Sequence, residues 1–371
     1  MTHPRRLLIL HDSPAFGGHE LMFLKLLPAL LAAPDFDDIL LCFPESNRRF
    51  AEALAPFAGG KLRLHPWLWT KRPAAPYLGG FRRGFARAIR HIVATERPDV
   101  ALMLQGRIEN CVVPTLALPR DLHLVGYIPM AHLLRDMGRS GLGDIARRRL
   151  YRRPDRFVVP SRAVAAQIAR AGGRRDAIVV ENWVTPPPAP DKSEIRARLG
   201  LPTDRPIALF LGRLEAKQKG LDLLATAIGR QAEALRDWTF VFVGDGPDRP
   251  LIDELAKTPG HDIRVPGWSD AGTDYLAAAD LLLMPSRWEG VPLVMLEAMD
   301  YGIPLLASDI DVFREYLPDV CRIDFEKDNL SDSLDRLLTE EAQTIFRKTV
   351  ASRPKADAEI GGEALLDALR G

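Results

Sequence analysis

The 371-residue chain is predicted to fold as two doubly wound α/β domains in tandem. Three observations lead there. Short apolar runs without polar alternation recur between helix-period segments, the pattern of parallel strands covered on both faces. A stretch rich in proline and charge, TPPPAPDKSEIRARLGLPTDRP, interrupts the alternation at mid-chain. Beyond it the same alternation begins again, as expected where single cores stop growing near ~250–300 residues.

In order, the first half reads as strand RRLLILH, helix GGHELMFLKLLPALLAA, strand DDILLCF, helix FRRGFARAIRHIVATE, strands PDVALML and LHLVGYI, a basic helix, strand RFVVPS, helix AVAAQIARAG and strand AIVVEN. The three consecutive prolines that follow favour an extended connector. The second half runs PIALFLGRL, GLDLLATAI, WTFVFVGDG, DELAK, DIRVPG, DYLAAA, DLLLMPS, PLVMLEAMDYG and IPLLASD, then the helical SDSLDRLL and EALLDALR. The division is therefore an N-terminal domain at 1–184, a linker at 185–206, a C-terminal domain at 207–355 and a C-terminal helix at 356–371, the last expected to pack back on the first domain. Ligands of such sheets sit beyond the C-terminal strand ends, so a cleft between the domains is the expected site.

Fifty basic and 49 acidic residues give a net charge of +1, which excludes a uniformly basic nucleic-acid binder and an acidic chaperone-like surface. The average hides an opposition. Residues 1–186 hold 28 Lys and Arg against 16 Asp and Glu, or +12, and the remainder 22 against 33, or −11. Cys42, Cys111 and Cys321 are odd in number and far apart, which suggests neither a disulfide framework nor a zinc site. The N-terminal apolar run is too short for a signal peptide and the longest one is broken by Lys25 and Pro28, so a cytoplasmic chain without a membrane span is expected.

Three stretches carry chemistry. In PSRWEGVPLVMLEAMDYGIPLLASD, Glu289-Gly290 makes a tight corner, Pro292 suits the first helical turn, and amides around Val291–Leu293 favour an anion. Glu297 follows inside an apolar helical run, where a buried carboxylate needs partners; a ligand's hydroxyls, a neighbouring loop or an arginine would each serve. In FLGRLEAKQKGLDLLATAI, Arg213 follows a strand and Gly212, and Lys219 precedes a helix. Only ten residues are lysines, so Lys217 and Lys219 in one loop stand out. A guanidinium and an ammonium there suit a diphosphate; a solvated charged loop is the plain alternative. In HDSPAFGGHELMF, Gly17 and Gly18 let backbone approach a ligand at a helix N-terminus, or simply make a turn. The pattern is not G-x-G-x-x-G, which argues against a nicotinamide cofactor.

Taken together, the pieces resemble the retaining GT-B glycosyltransferases, specifically glycosyltransferase family 4 (glycosyl transferases group 1). The likeness rests on the GGxE turn at Gly17–Glu20, GRL…KG at Arg213 and Lys219, the VGDGP strand end at Val243–Pro247, and E-x7-E at Glu289 and Glu297. It implies the GT-B fold, with two Rossmann-like domains facing across a cleft. It further implies that Arg213 and Lys219 hold a donor diphosphate, Glu289 the hydroxyls of the transferred sugar and Glu297 the ribose. Gly17, Gly18, Gly212, Gly267, Gly290, Val291, Pro292 and Leu293 complete the implied donor site, with base contacts from main chain at Val265–Trp268. The family's N-terminal-domain histidine near the sugar falls on His132 in one alignment and on Pro129 in another, with His11 and His19 as competitors.

The implied reaction moves a sugar from a nucleotide diphosphate to a hydroxyl of a glycan or lipid-linked acceptor, with retention, in cell-envelope polysaccharide or lipopolysaccharide assembly. It needs no metal or cofactor, because Arg, Lys and a helix N-terminus meet the charge on the leaving phosphate. The D-x-D triplets at Asp309–Asp311 and Asp35–Asp37 are accordingly not read as metal sites. Nucleotide-sugar 2-epimerases, sugar phosphorylases and an inactive nucleotide-sugar-binding protein share the fold and are the alternatives. Arg83, Arg87 and Arg90 recur at helical spacing opposite Phe81, Phe85, Ile89 and Ile92, and Arg147–Arg149 with Arg152 and Arg153 form a second cluster. Such faces suit an anionic membrane surface or are ordinary solvated arginines. Nucleic acid is not expected, for want of a recognisable module.

Overall fold

The computed structural model describes residues 5–68, 83–173, 176–185, 187–188, 191–354 and 356–371. Phe81 and Pro186, which enter the sequence reading, fall outside them. The chain divides into two units, Met1–Trp183 with Ala356–Gly371, and Val184–Lys355.

The first unit runs β1 (Arg5–His11), α1 (Gly18–Ala32), β2 (Phe36–Pro44), α2 (Arg48–Leu54), β3 (Leu62–Trp67), α3 (Arg83–Glu96), β4 (Val100–Leu104), α4 (Val112–Ala117), β5 (His123–Tyr127), α5 (Leu142–Arg152), β6 (Arg156–Val159), α6 (Arg162–Arg170) and β7 (Ile178–Val179). Its sheet is parallel in the order β3-β2-β1-β4-β5-β6-β7. Leu7 and Ile9 of β1 pack on the face that holds Phe23, Leu26 and Leu27 of α1, while Leu8 and Leu10 pack on the other with Ala86 and Ile89 of α3. Both faces are covered, which is why the strand is a continuous apolar run.

The second unit runs α7 (Lys192–Leu199), β8 (Ile207–Leu211), α8 (Ala216–Lys219), α9 (Leu221–Arg230), β9 (Thr239–Val243), α10 (Arg249–Leu255), β10 (Asp262–Gly267), α11 (Gly272–Ala278), β11 (Leu281–Met284), α12 (Leu293–Asp300), β12 (Leu305–Ser308), α13 (Asp311–Tyr316), β13 (Arg322–Ile323), α14 (Leu330–Leu338) and α15 (Glu340–Ala351). Its parallel sheet has the order β10-β9-β8-β11-β12-β13. In each sheet the winding reverses beside the first strand, between β1 and β4 and between β8 and β11, and such reversals open a crevice at the strand ends.

Part of the segment expected as an extended connector is helical. Asp191 caps α7 by accepting from the Ser193 and Glu194 amides. Ile195 is buried, and Arg196 donates to the Ala278 carbonyl at 2.9 Å and pairs with Asp280, which also accepts from the Ile207 amide. Proline content alone misses this, because the apolar anchor is a single residue.

The last helix, α16 (Ala358–Arg370), belongs to the first unit, where Leu365, Leu366 and Leu369 join the core against α1. Its glycines allow a close approach: a Cβ on Gly362 would lie 2.4 Å from the Ala29 Cβ. Arg370 then forks onto both oxygens of Asp35, at 2.8 and 3.1 Å. No helix among the described residues is long and apolar enough to cross a membrane.

Candidate functional site

In the second unit, the loops after β8 and β11 meet at the crevice. Gly220 makes this contact feasible. Its φ is +65°, and a Cβ there would stand 1.9 Å from the Pro285 carbonyl oxygen, so no other residue lets α8 lie on the loop after β11. Gly244 plays the same part between β8 and β9, where a Cβ would meet the Gly212 carbonyl at 1.9 Å. Polar ties then lock the two loops. The Arg287 amide donates to the Gln218 carbonyl at 2.8 Å, and the Arg287 guanidinium forks onto Asp222 at 2.7 and 2.8 Å while also reaching the Ala216 carbonyl. That fork holds the Asp222 carboxyl below its ordinary range.

The arrangement delivers Lys219 to Glu289. The ammonium lies 2.5 Å from Glu289 Oε1, the Ser286 hydroxyl donates to the same oxygen at 2.8 Å, and Gln218 Nε2 stands 3.5 Å from the other. Glu289 is only 4% exposed. A buried carboxylate of this kind needs hydrogen-bond donors, and Lys219, Ser286 and Gln218 supply them. Lys219 is thus engaged by a carboxylate, where the sequence offered a diphosphate or a solvated charged loop. Arg213 is exposed and stands 3.3 Å from Glu215. Gly212 directly follows β8, and Gly267 ends β10, two strands away in the same sheet, where its carbonyl accepts from the Gly244 amide.

Gly290, Val291 and Pro292 lead into α12. Pro292 does not occupy the first helical turn, as its sequence position suggested, but the N-cap, with ψ at 130°, and Leu293 opens the helix. Glu297 is also not buried: Met295, Leu296, Ala298 and Met299 face inward, and Glu297 turns to the partly exposed side. The Asp309 of one D-x-D triplet pairs with Arg314 and Arg322, and Asp35 of the other with Arg370.

The first unit has its own polar cluster at its crevice. Gly17 is extended and its virtual Cβ meets nothing closer than 3.5 Å, so the turn does not demand glycine there. What organises it is Glu20, fully buried, which accepts from the Gly17 amide at 2.7 Å and from His19 Nδ1 at 2.9 Å and lies 3.3 Å from His11 Nε2. His11 Nδ1 contacts the Leu104 carbonyl at 3.0 Å, tying β1 to β4. Burial opposes ionisation of Glu20, but the two histidines outweigh it and bring the carboxyl to about 2. Burial also pulls His19 below its ordinary value, against the opposing pull of Glu20. The GGxE pattern contained this glutamate, yet its glycines drew the functional reading.

His132 is 6% exposed. Its loop is fixed from α5 and α6: Arg147 donates to the His132 carbonyl at 3.1 Å, Gln167 accepts from the Ala131 amide at 2.9 Å, and Asp144 from the Leu134 amide at 2.8 Å. Arg147 is therefore no part of a basic surface. It is buried between Glu109 and Asp144, each at 3.1 Å, and only Arg148, Arg149 and Arg152 of that run are exposed.

Residues 205–340 match the family described as Glycosyl transferases group 1. Alpha-D-kanosaminyltransferase of Streptomyces kanamyceticus is 32% identical over 155 residues, 40% of this chain and 40% of that protein. The lipopolysaccharide core biosynthesis mannosyltransferase LpsB of Rhizobium meliloti (strain 1021) is 31% identical over 204 residues, 50% of this chain and 57% of that one. The chain thus spans less than two thirds of the length of these curated relatives. In fold, it is similar to Anabaena Alr3699/HepE in complex with UDP and glucose, with a TM-score of 0.73 and 20% identity over 99% of this chain and 100% of that one. The second unit therefore carries a glycosyl transferases group 1 domain over residues 205–340, in a chain whose two Rossmann-like units have the GT-B fold.

Proposed function

We propose that this chain is a retaining glycosyltransferase that moves a sugar from a nucleotide diphosphate to a hydroxyl of a glycan or lipid-linked acceptor, in cell-envelope polysaccharide or lipopolysaccharide assembly. The observation that carries the reading is the Lys219–Glu289 pair at the β8/β11 crevice, inside the segment matched to glycosyl transferases group 1. The relative LpsB, named for lipopolysaccharide core biosynthesis, supports the envelope setting. Alr3699/HepE, whose structure is a complex with UDP and glucose, supports a nucleotide-sugar donor.

In this reading the donor diphosphate draws Lys219 from Glu289 or shares it, and the exposed Arg213 supplies the second cation. Glu289 then receives hydroxyls of the sugar, Glu297 those of the ribose, and the amides of Gly290, Val291 and Leu293 face phosphate oxygens. The bond from the anomeric carbon to the phosphate oxygen breaks as the acceptor oxygen bonds to the same carbon from the same face. The acceptor's proton passes to the departing phosphate. Negative charge grows on that phosphate, so cations already in place stabilise the transition state more than the ground state. Arg213 and Lys219 do this without a metal ion.

Thermal-shift titration with UDP-, GDP- and ADP-sugars tests the donor assignment, since a ligand at ~100 times its dissociation constant adds about 2.7 kcal/mol. No shift with any of them would refute it. Proton NMR of the product from the active donor then reads the anomeric configuration, and turnover in excess chelator reads the metal requirement.

A further inference from the structure

We infer that the outward face of α5 is a docking surface for an anionic lipid bilayer. The helix has two unlike sides. Inward, Arg147, Leu150 and Tyr151 are buried and hold it to the first unit. Outward, Leu142 is 77% exposed and Ile145 73%, and Arg148, Arg149 and Arg152 are exposed beside them. At 100° per residue these five fall within an arc of about 120°. Single exposed aliphatics are ordinary on a protein surface. Two almost fully exposed ones a turn apart on one face, continued by three arginines, are not explained by the helix's own packing, which the opposite side supplies.

The order along the helix selects the occupant. The apolar pair stands at the N-terminal turn and the arginines on the two turns after it, so a helix lying in a membrane interface would place Leu142 and Ile145 at the acyl boundary and the guanidiniums among phosphates. Arginine suits phosphate through its planar fork, and its stem tolerates the apolar boundary. Arg148 and Arg152 have no acidic partner among the described residues, and Asp144, the acidic residue of the helix, is turned inward onto Arg147 and the Leu134 amide. Arg139, in the loop leading into α5, is exposed as well. By contrast, the exposed arginines of α3 have no exposed large aliphatic beside them on that helix. A second protein would have to complement both the apolar pair and the exposed arginines beside it; an anionic bilayer does so by its composition.

The inference rests on the proposed function for its purpose, the delivery of the site to a lipid-linked acceptor, but its test needs no turnover. The full chain is floated with phosphatidylcholine vesicles containing or lacking phosphatidylglycerol, at low and high salt. Partition onto the phosphatidylglycerol vesicles should be at least about tenfold stronger and should weaken with salt. Replacing Arg148, Arg149 and Arg152 together by Gln should lower it about a hundredfold. Leu142→Ser with Ile145→Ser should lower it about tenfold, with the remaining binding still salt-sensitive. All these residues are exposed, and thermal melting of each variant checks that the fold is kept. Equal partition onto both vesicle types, variants that bind as the parent does, or an apolar-pair variant that changes only the molecular mass in solution would each overturn the inference. Nucleotide-sugar binding, read by thermal shift in the same variants, should be unchanged. Loss of donor binding in the parent chain with vesicle binding intact would instead overturn the transferase reading.

Discussion

Lys219 Nζ stands 2.5 Å from Glu289 Oε1, so the cation assigned to a donor's diphosphate and the carboxylate assigned to its sugar are each other's partners. Removing one end leaves the other with less compensation in a site that is only 4% exposed at Glu289. Lys219→Met is expected to cost about 1–3 kcal/mol in a protein melted without added nucleotide, and Glu289→Gln on top of it to recover part of that loss. A double-mutant cycle of melting data that shows no coupling would contradict the pair.

The same pairing separates binding from chemistry. Glu289→Gln frees Lys219 and should leave the affinity for a sugar-free nucleoside diphosphate equal or tighter, while Lys219→Met weakens it. Turnover should fall at least ~10²-fold in both, as for loss of one transition-state contact. Isothermal titration beside steady-state rates distinguishes the two effects.

Gly220→Ala should act on this site from a distance of one residue. The new Cβ would overlap the Pro285 carbonyl in a backbone conformation that alanine adopts at a cost, so α8 must shift away from the loop after β11. A loss of about 2–3 kcal/mol in melting is expected, together with loss of the Lys219–Glu289 coupling energy. If the coupling survives in a Gly220→Ala background, the contact does not position the pair.

These cases show which parts of the molecule the sequence discloses. A strand buried on both faces announces itself as an apolar run, as LLIL of β1 and FVFV of β9 do, and helix segments between such runs leave little choice but parallel sheets. Long-range partners leave no such trace. Lys219 reads as a cation for a diphosphate or a solvated loop because Glu289 lies 70 positions away, and nothing in the sequence shows that Gly220 is excluded from carrying a side chain by Pro285. In the run Arg147–Arg149, composition treats three residues alike, whereas the helical period puts Arg147 with Leu150 and Tyr151 on the buried side. Glu297 errs the other way: apolar neighbours suggest burial, but one turn of α12 carries it to the partly exposed side.

The packing of α16 on α1 gives a prediction about stability alone. Gly362→Val would force at least one methyl into the space of Ala29, and overpacking of this kind costs about 1–3 kcal/mol. Ala29→Gly should restore part of the stability of Gly362→Ala, because the contact is mutual. Absence of any rescue, with melting as the readout, would show that α16 does not rest on Ala29.

Glu20 predicts how the first unit responds to acid. Its carboxyl lies at about 2 in the fold against 4.5 in an unfolded chain, so on acidification the unfolded chain takes up the proton first. The stabilisation, on the order of 3 kcal/mol, is complete above about pH 4.5 and is lost as the pH falls towards 2. His19 adds to this in a higher window. Its folded value is depressed below 6.5, so below that pH the unfolded chain binds a proton that the fold resists, and stability falls there as well. Melting temperature should therefore decline in two stages between pH 7 and pH 3. Glu20→Gln should melt lower at pH 7 and should lack the second stage, so that the difference between parent and variant shrinks on acidification. A constant difference across the whole range would mean that the carboxylate held by His11, His19 and the Gly17 amide is not what ties the β1–α1 turn to the sheet.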